Sequence, residues 1–157
     1  VFVGAGQEVR EQQLTRFLDG VRAADAVNPF SPRFTPATTL GEAITTLTAT
    51  RWDAFAVEHF GRLVGVVTRE DLLAAASKDG AWGYVAGCMR RHVDVVEGHE
   101  PLEHVRFKLQ EAPFVAVVSQ GMFLGLITQL DLALLLERLS GVAFSRTAPR
   151  GASPARR

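Results

Sequence analysis

The sequence predicts an α+β fold of two β-β-α repeats packed about a pseudo-twofold axis. The first observation is a pattern that occurs twice, Gly65-Val66-Val67-Thr68-Arg69-Glu70-Asp71-Leu72-Leu73 and Gly125-Leu126-Ile127-Thr128-Gln129-Leu130-Asp131-Leu132-Ala133. Each copy is a glycine, a short apolar run, a threonine, two variable residues, an aspartate and the start of a helical pattern. The second observation is that residues 53–71 superimpose on 113–131 without a gap, which marks an internal duplication. The third is size. Each unit alone is too small to close a core well, so the two strand pairs must pack together.

Residues 1–20 read as a helical linker. The stretch 7–18 is polar with scattered Val9, Leu14, Phe17 and Leu18, an amphipathic pattern that ends near Gly20. Residues 21–78 form the first repeat. It opens with a short helix over 21–27 that stops before Pro29, then an extended stretch punctuated by Pro32 and Pro36. Thr39-Leu40-Gly41-Glu42 is a capping box, and Leu40, Ile44 and Leu47 follow at helical spacing. Strands are expected over 54–57 and 63–67, with a turn at Phe60-Gly61-Arg62 and a helix through Leu72, Leu73 and Ala76.

Asp79-Gly80 breaks the chain, and residues 79–140 repeat the order. A short helix is expected over 82–89, an extended segment over 93–96, and a helix from Pro101 bearing Leu102, Val105 and Leu109. Strands over 114–118 and 122–127 flank a turn at Gln120-Gly121. The last helix carries Leu132, Leu135, Leu136 and Leu139, a stripe that suits either core or a dimer interface. Upstream of the matched stretch the offset between repeats changes by two residues, inside the first long helix of each. Residues 141–157, with Arg146, Arg150, Arg156 and Arg157, read as a disordered basic tail.

Composition narrows the function. Lys+Arg and Asp+Glu both number 17, so no global field draws in nucleic acid. Cys88 is the single cysteine, which excludes an internal disulfide. No apolar run reaches the ~18–20 residues of a membrane span, and no signal peptide is recognisable. The chain starts at Val1 rather than methionine and is expected to be a piece of something longer. The apolar stretch 1–6 reads as the end of a span cut off upstream.

The chemistry concentrates on the repeated threonine and aspartate. A threonine at a strand-to-helix junction sits beside free N–H groups and the positive end of a helix dipole. A phosphate can bind there, and an aspartate one turn later can accept hydrogen bonds from ribose hydroxyls. Thr-x-x-Asp is also close to a capping box, which alone accounts for either copy taken singly. Elsewhere little stands out. His99 and His104 are five apart, off the spacing that puts two metal ligands on one helix face, and no metal site is expected. Ser77, Ser119 and Ser140 lack the context of a nucleophile. Trp52 and Trp82 are expected in core or inter-repeat packing. No catalytic constellation appears, so the chain is read as not an enzyme.

With these residues in view, the chain resembles a tandem CBS-domain pair, or Bateman module, over roughly residues 21–139. The resemblance implies a regulatory module that binds an adenine nucleotide (AMP, ADP or ATP) and modulates an attached protein. It implies that Thr68 and Thr128 contact phosphate and that Asp71 and Asp131 hold ribose hydroxyls. Ala112-Pro113-Phe114 would line the base pocket of the second site, with Asp53 and Ala54 standing in the first where Pro113 and Phe114 stand in the second. The second site is therefore expected to bind better. The openings Ala26-Val27-Asn28-Pro29 and Cys88-Met89-Arg90-Arg91 depart from the family's pattern, and Arg90 and Arg91 read either as help for a phosphate or as surface charge. A homodimer is expected. The start, Ala5-Gly6-Gln7-Glu8 and the polar helix to Gly20-Val21-Arg22, is similar to the linker before the CBS pair in bacterial site-2-protease-like zinc metalloproteases. That similarity implies an attached membrane protease outside this chain and a place on the cytosolic side. The alternative is a ligand-free CBS pair serving structure or dimerisation.

Overall fold

Each repeat builds its elements from the same local signals. In the first, β1 (Arg33–Phe34), α1 (Leu40–Ala49), β2 (Ala54–His59), β3 (Arg62–Thr68) and α2 (Arg69–Asp79) follow in order. In the second come β4 (Val95–Glu97), α3 (Leu102–Lys108), β5 (Phe114–Ser119), β6 (Met122–Thr128) and α4 (Gln129–Thr147). The structure, a computed structural model, describes residue 12 and residues 16–147, with side chains to residue 141. Most of the expected linker helix and the end of the basic tail lie outside the described residues.

Local chemistry explains where these elements start and turn. The Thr39 hydroxyl accepts the Glu42 N–H at 3.3 Å, and the Glu42 carboxylate accepts the Thr39 N–H at 2.9 Å, which closes the first turn of α1. The Thr39 N–H and hydroxyl hold the Glu42 carboxyl below its ordinary range. Both hairpins turn on two residues with positive φ, Phe60 (49°) with Gly61 (78°) and Gln120 (51°) with Gly121 (80°). That is the type I′ geometry whose twist matches paired strands.

In each sheet the order follows the sequence, β1-β2-β3 and β4-β5-β6. The first pair is parallel and the second antiparallel in both. A register shift recurs at the same place, between Val57 and Glu58 and between Val117 and Val118. Strand alternation then sorts the side chains into three layers. Phe55, Val57 and Val67 face Leu40, Leu47 and Leu72. Val115, Val117 and Ile127 face Leu102, Val105 and Leu132. Between the sheets, Ala54, Ala56 and Val66 meet Phe114, Ala116, Phe123 and Leu126. This middle layer joins the repeats into one body.

The leading segments are exchanged between repeats. The Ala23 and Ala24 N–H groups donate to the carbonyls of Glu100 (2.9 Å) and Gly98 (3.0 Å), and Leu102 N–H donates to the Val21 carbonyl. Ala23 and Leu18 are buried with Val96 and Leu102, in the second repeat's core. Reciprocally, Leu40 N–H donates to the Gly83 carbonyl (2.7 Å) and Val85 N–H to the Thr38 carbonyl (2.9 Å). Val85 lies in the first repeat's core. The exchange explains the glycine that opens each repeated motif. A Cβ on Gly65 would sit 2.9 Å from the Arg90 carbonyl oxygen, and one on Gly125 would collide with the Val27 side chain. Each glycine is where the other leading segment crosses the sheet.

Three expectations need correction. The short helices expected over 21–27 and 82–89 are single 3-10 turns, Ala23–Ala26 and Val85–Gly87. Each turn ends because its segment goes on to cross a sheet, Arg90 pairing with Val66 and Val27 packing over Gly125. The last helix runs to Thr147, into the stretch expected to be a disordered tail. Gly141 costs a helix only about 1 kcal/mol, and the chain meets no proline until Pro149. Trp82 is 87% exposed rather than packed, because the Gly83 carbonyl carries the contact with α1 and the side chain is left outside. Of the leucine stripe, Leu132 is buried and Leu135 and Leu136 pack against the second core.

Candidate functional site

The two repeated threonines sit where β3 gives way to α2 and β6 to α4. Thr68 Oγ1 accepts the Asp71 N–H at 3.1 Å, and Asp71 Oδ2 accepts the Thr68 N–H at 3.1 Å. Thr128 Oγ1 accepts the Asp131 N–H at 3.2 Å, and Asp131 Oδ2 accepts both the Thr128 N–H and its hydroxyl at 2.8 Å. Both runs are therefore complete reciprocal caps. Capping still leaves part of each helix N-terminus able to meet an anion.

The residue after each threonine ties its helix to the preceding one. Arg69 donates to the carbonyls of Thr50 (3.2 Å) and Trp52 (3.3 Å) near the C-terminal end of α1, and to Asp53 Oδ1 at 3.2 Å. A cation there suits the negative end of a helix. Gln129 makes the neutral counterpart, donating from Nε2 to the Leu109 carbonyl at 2.7 Å. Arg69 and Gln129 were not singled out in the sequence, because their partners lie well upstream on another element.

The repeats diverge at the aspartates. Arg90, on the segment that crosses the first sheet, donates from Nε to Asp71 Oδ2 (2.8 Å) and from Nη2 to Asp71 Oδ1 (3.0 Å). Partial burial opposes ionisation of Asp71, but the Arg90 hydrogen bonds, the Thr68 contacts and the Arg90 charge outweigh it and hold the carboxyl below its ordinary range. The same pairing raises Arg90. Arg90 is thus the counter-ion of Asp71, half-exposed on the wall of a cleft between the repeats.

Between the repeats lies a cleft of about 980 Å³ that gathers residues from both. It brings together Asp53, Ala54, Thr68, Pro113, Phe114, Thr128 and Asp131 of the expected site residues. Asp71, beneath Arg90, and Ala112 do not line it. A second cleft of about 590 Å³ adjoins it, shares Arg51, Trp52, Leu130 and Asp131, and is walled by 25–30 of the leading segment. Asp53 projects outward, its side chain 84% exposed and paired to Arg69, so it forms a rim rather than a wall. Phe114, buried on the layer between the sheets, presents an apolar wall.

Arg51 belongs to both clefts, and among the described residues its side chain has no ion pair or hydrogen bond. It stands next to no motif, so only the folded arrangement reveals it. The arrangement offers an anion a helix N-terminus and an unpaired cation, offers hydroxyls the Asp131 carboxylate, and offers a flat apolar group the Pro113-Phe114 wall.

Comparison with known proteins fits this geometry. The sequence profile of the CBS domain matches residues 25–78 and again 85–138. No curated protein matches the chain in sequence. Among solved structures, the AcuB protein from Vibrio cholerae is 19% identical, with 82% of this chain and 98% of that one covered at a TM-score of 0.73. CBSX2, solved in complex with AMP, is 23% identical over 77% of this chain and 99% of its own, with a TM-score of 0.67. The CBS domain of a bacterial CNNM/CorC family Mg2+ transporter, solved in complex with ATP, is 19% identical over 83% and 97%, with a TM-score of 0.69. At these identities the likeness is one of fold.

Proposed function

This chain belongs to the CBS domain family as a tandem pair, and we propose that it is a regulatory module sensing an adenine nucleotide in the cleft between its repeats. The observation that carries the reading is the second repeat's end of that cleft. There Thr128 opens α4, Asp131 turns a carboxylate toward the cleft, Pro113 and Phe114 supply an apolar wall, and Arg51 waits unpaired. In this reading Thr128 and the helix N-terminus hold phosphate, Asp131 accepts the ribose hydroxyls, and the base lies along Pro113 and Phe114. Thr68, Asp71, Asp53 and Ala54 are the first repeat's equivalents. Two structural relatives solved with AMP and with ATP support an adenine nucleotide as the class of ligand. The module is regulatory, not catalytic.

The finer reading is that the sensor acts on an attached membrane zinc metalloprotease, from the cytosolic side and as a homodimer. The similarity of the N-terminal stretch to the linker of such proteases supports it. Cleavage by the protein that carries this chain, measured with and without nucleotide, tests it.

Calorimetric titration of AMP, ADP and ATP into the chain tests the sensing reading, with saturable binding of at least one of them expected. Both Thr-x-x-Asp runs are complete caps without a ligand, which favours a second reading as a ligand-free structural module. Absence of binding at millimolar nucleotide would hand the account to that reading.

A further inference from the structure

We infer that Arg90 closes the first of the two equivalent sites, so that the module takes a single nucleotide per chain, at Asp131. The inference rests on the nucleotide reading of the cleft and adds which half of it is open. A carboxylate that is to hold a ribose must offer acceptors to two hydroxyls. Asp71 has at most one to spare. Oδ2 accepts from Thr68 N–H and Arg90 Nε, Oδ1 accepts from Arg90 Nη2, and the side chain is 20% exposed. Bidentate guanidinium–carboxylate bonds are charge-assisted and roughly twice as strong as neutral ones. Neutral hydroxyls that displaced them would lose in the exchange.

Arg90 is also anchored where it stands. Its N–H donates to the Val66 carbonyl at 2.7 Å, and its carbonyl accepts the Val66 N–H at 2.9 Å. The guanidinium therefore starts from a backbone paired to β3, the strand that delivers Thr68.

The second repeat has the other arrangement. Arg90 lies five residues past Val85, which opens one 3-10 turn, and Asn28 lies five past Ala23, which opens the other. Asn28 is neutral, and its Oδ1 accepts the N–H of Phe30 at 3.0 Å within its own turn. Asp131 Oδ2 is engaged by Thr128, while Oδ1 has no partner among the described residues. Asp131 lines both clefts, whereas Asp71 lines neither.

Calorimetric titration with AMP and with ATP of the wild-type chain, Arg90→Asn and Arg90→Asn/Asp71→Asn tests this, with circular dichroism confirming that each is folded. Arg90→Asn gives the first repeat the residue the second already carries. The wild type is expected to bind one nucleotide and Arg90→Asn two, with the added site at least about tenfold tighter than any residual first-site binding in the wild type. The double variant should return to one. Should Arg90→Asn misfold, Arg90→Lys keeps the charge without the fork and is expected to show measurable binding at the first site; no binding there overturns the inference. Two nucleotides on the wild type, or one on folded Arg90→Asn, overturn the inference while leaving the nucleotide reading intact. No binding by any variant overturns that reading and the inference with it.

Discussion

At the scale of single residues, two aspartates in equivalent positions carry different loads. Asp131→Ala removes hydrogen bonds to ligand hydroxyls worth about 1–2 kcal/mol, roughly a tenfold loss of nucleotide affinity. It also removes the acceptor of the Thr128 N–H, so the unliganded melting temperature is measured beside the affinity. Asp71 speaks to pH. Its carboxyl is held below the ordinary range in the fold, so its contribution to stability is present above the unfolded value, near pH 4, and is lost as pH falls through the lower folded value. Asp71→Asn is therefore expected to flatten the fall of stability below about pH 4 in acid titration; an unchanged acid limb would contradict the ion pair. Phe60 is a different case. It is 88% exposed at a φ of 49°, a conformation that asparagine tolerates better. Phe60→Asn should raise stability by about 0.5–1 kcal/mol in urea unfolding.

At the scale of elements, the repeated glycine, threonine and aspartate tie strand, crossing segment and helix together. Gly65→Ala places a methyl group against the Arg90 carbonyl, and a backbone atom cannot step aside as a side-chain end can. A loss of about 1–3 kcal/mol is expected, and an unfolding midpoint equal to wild type would contradict the crossing. The β-β-α cores were legible in the sequence because their signals are local. Thr39 and Glu42 announce α1, Gly61 and Gly121 announce the hairpins, and the short apolar runs around Phe55 and Val115 announce the strands. The end of α4 was not legible, since Ser140 and Gly141 resemble a terminus although neither stops a helix. The pairing of Arg90 with Asp71 was out of reach for a similar reason. Its partner lies on another element and is set by where the leading segment crosses.

At the scale of the whole molecule, the exchange of leading segments makes neither repeat complete in sequence order. Val85 fills the core built by Phe34, Leu40 and Phe55, and Ala23 fills the one built by Val96 and Leu102. Residues 21–78 expressed alone are expected to remain unfolded by circular dichroism, while the whole chain unfolds in one transition. The duplication was plain in the sequence, but the exchange was not, because hydrophobic periodicity says which face is buried and not which sheet buries it. The same closure places Thr68 and Thr128 on one cleft, and the central claim is that this cleft holds an adenine nucleotide chiefly through the second repeat. The melting temperature of the wild type and of Asp131→Ala, each followed from zero to saturating AMP or ATP, tests that claim most directly. A ligand at about a hundred times its dissociation constant adds about 2.7 kcal/mol to the folded state, which is about 5–10 °C for a domain of this size. The account predicts a rise of that order in the wild type and a titration displaced about tenfold to higher nucleotide in the variant. A wild-type melting temperature unmoved by millimolar nucleotide, or an identical titration in both proteins, would contradict it.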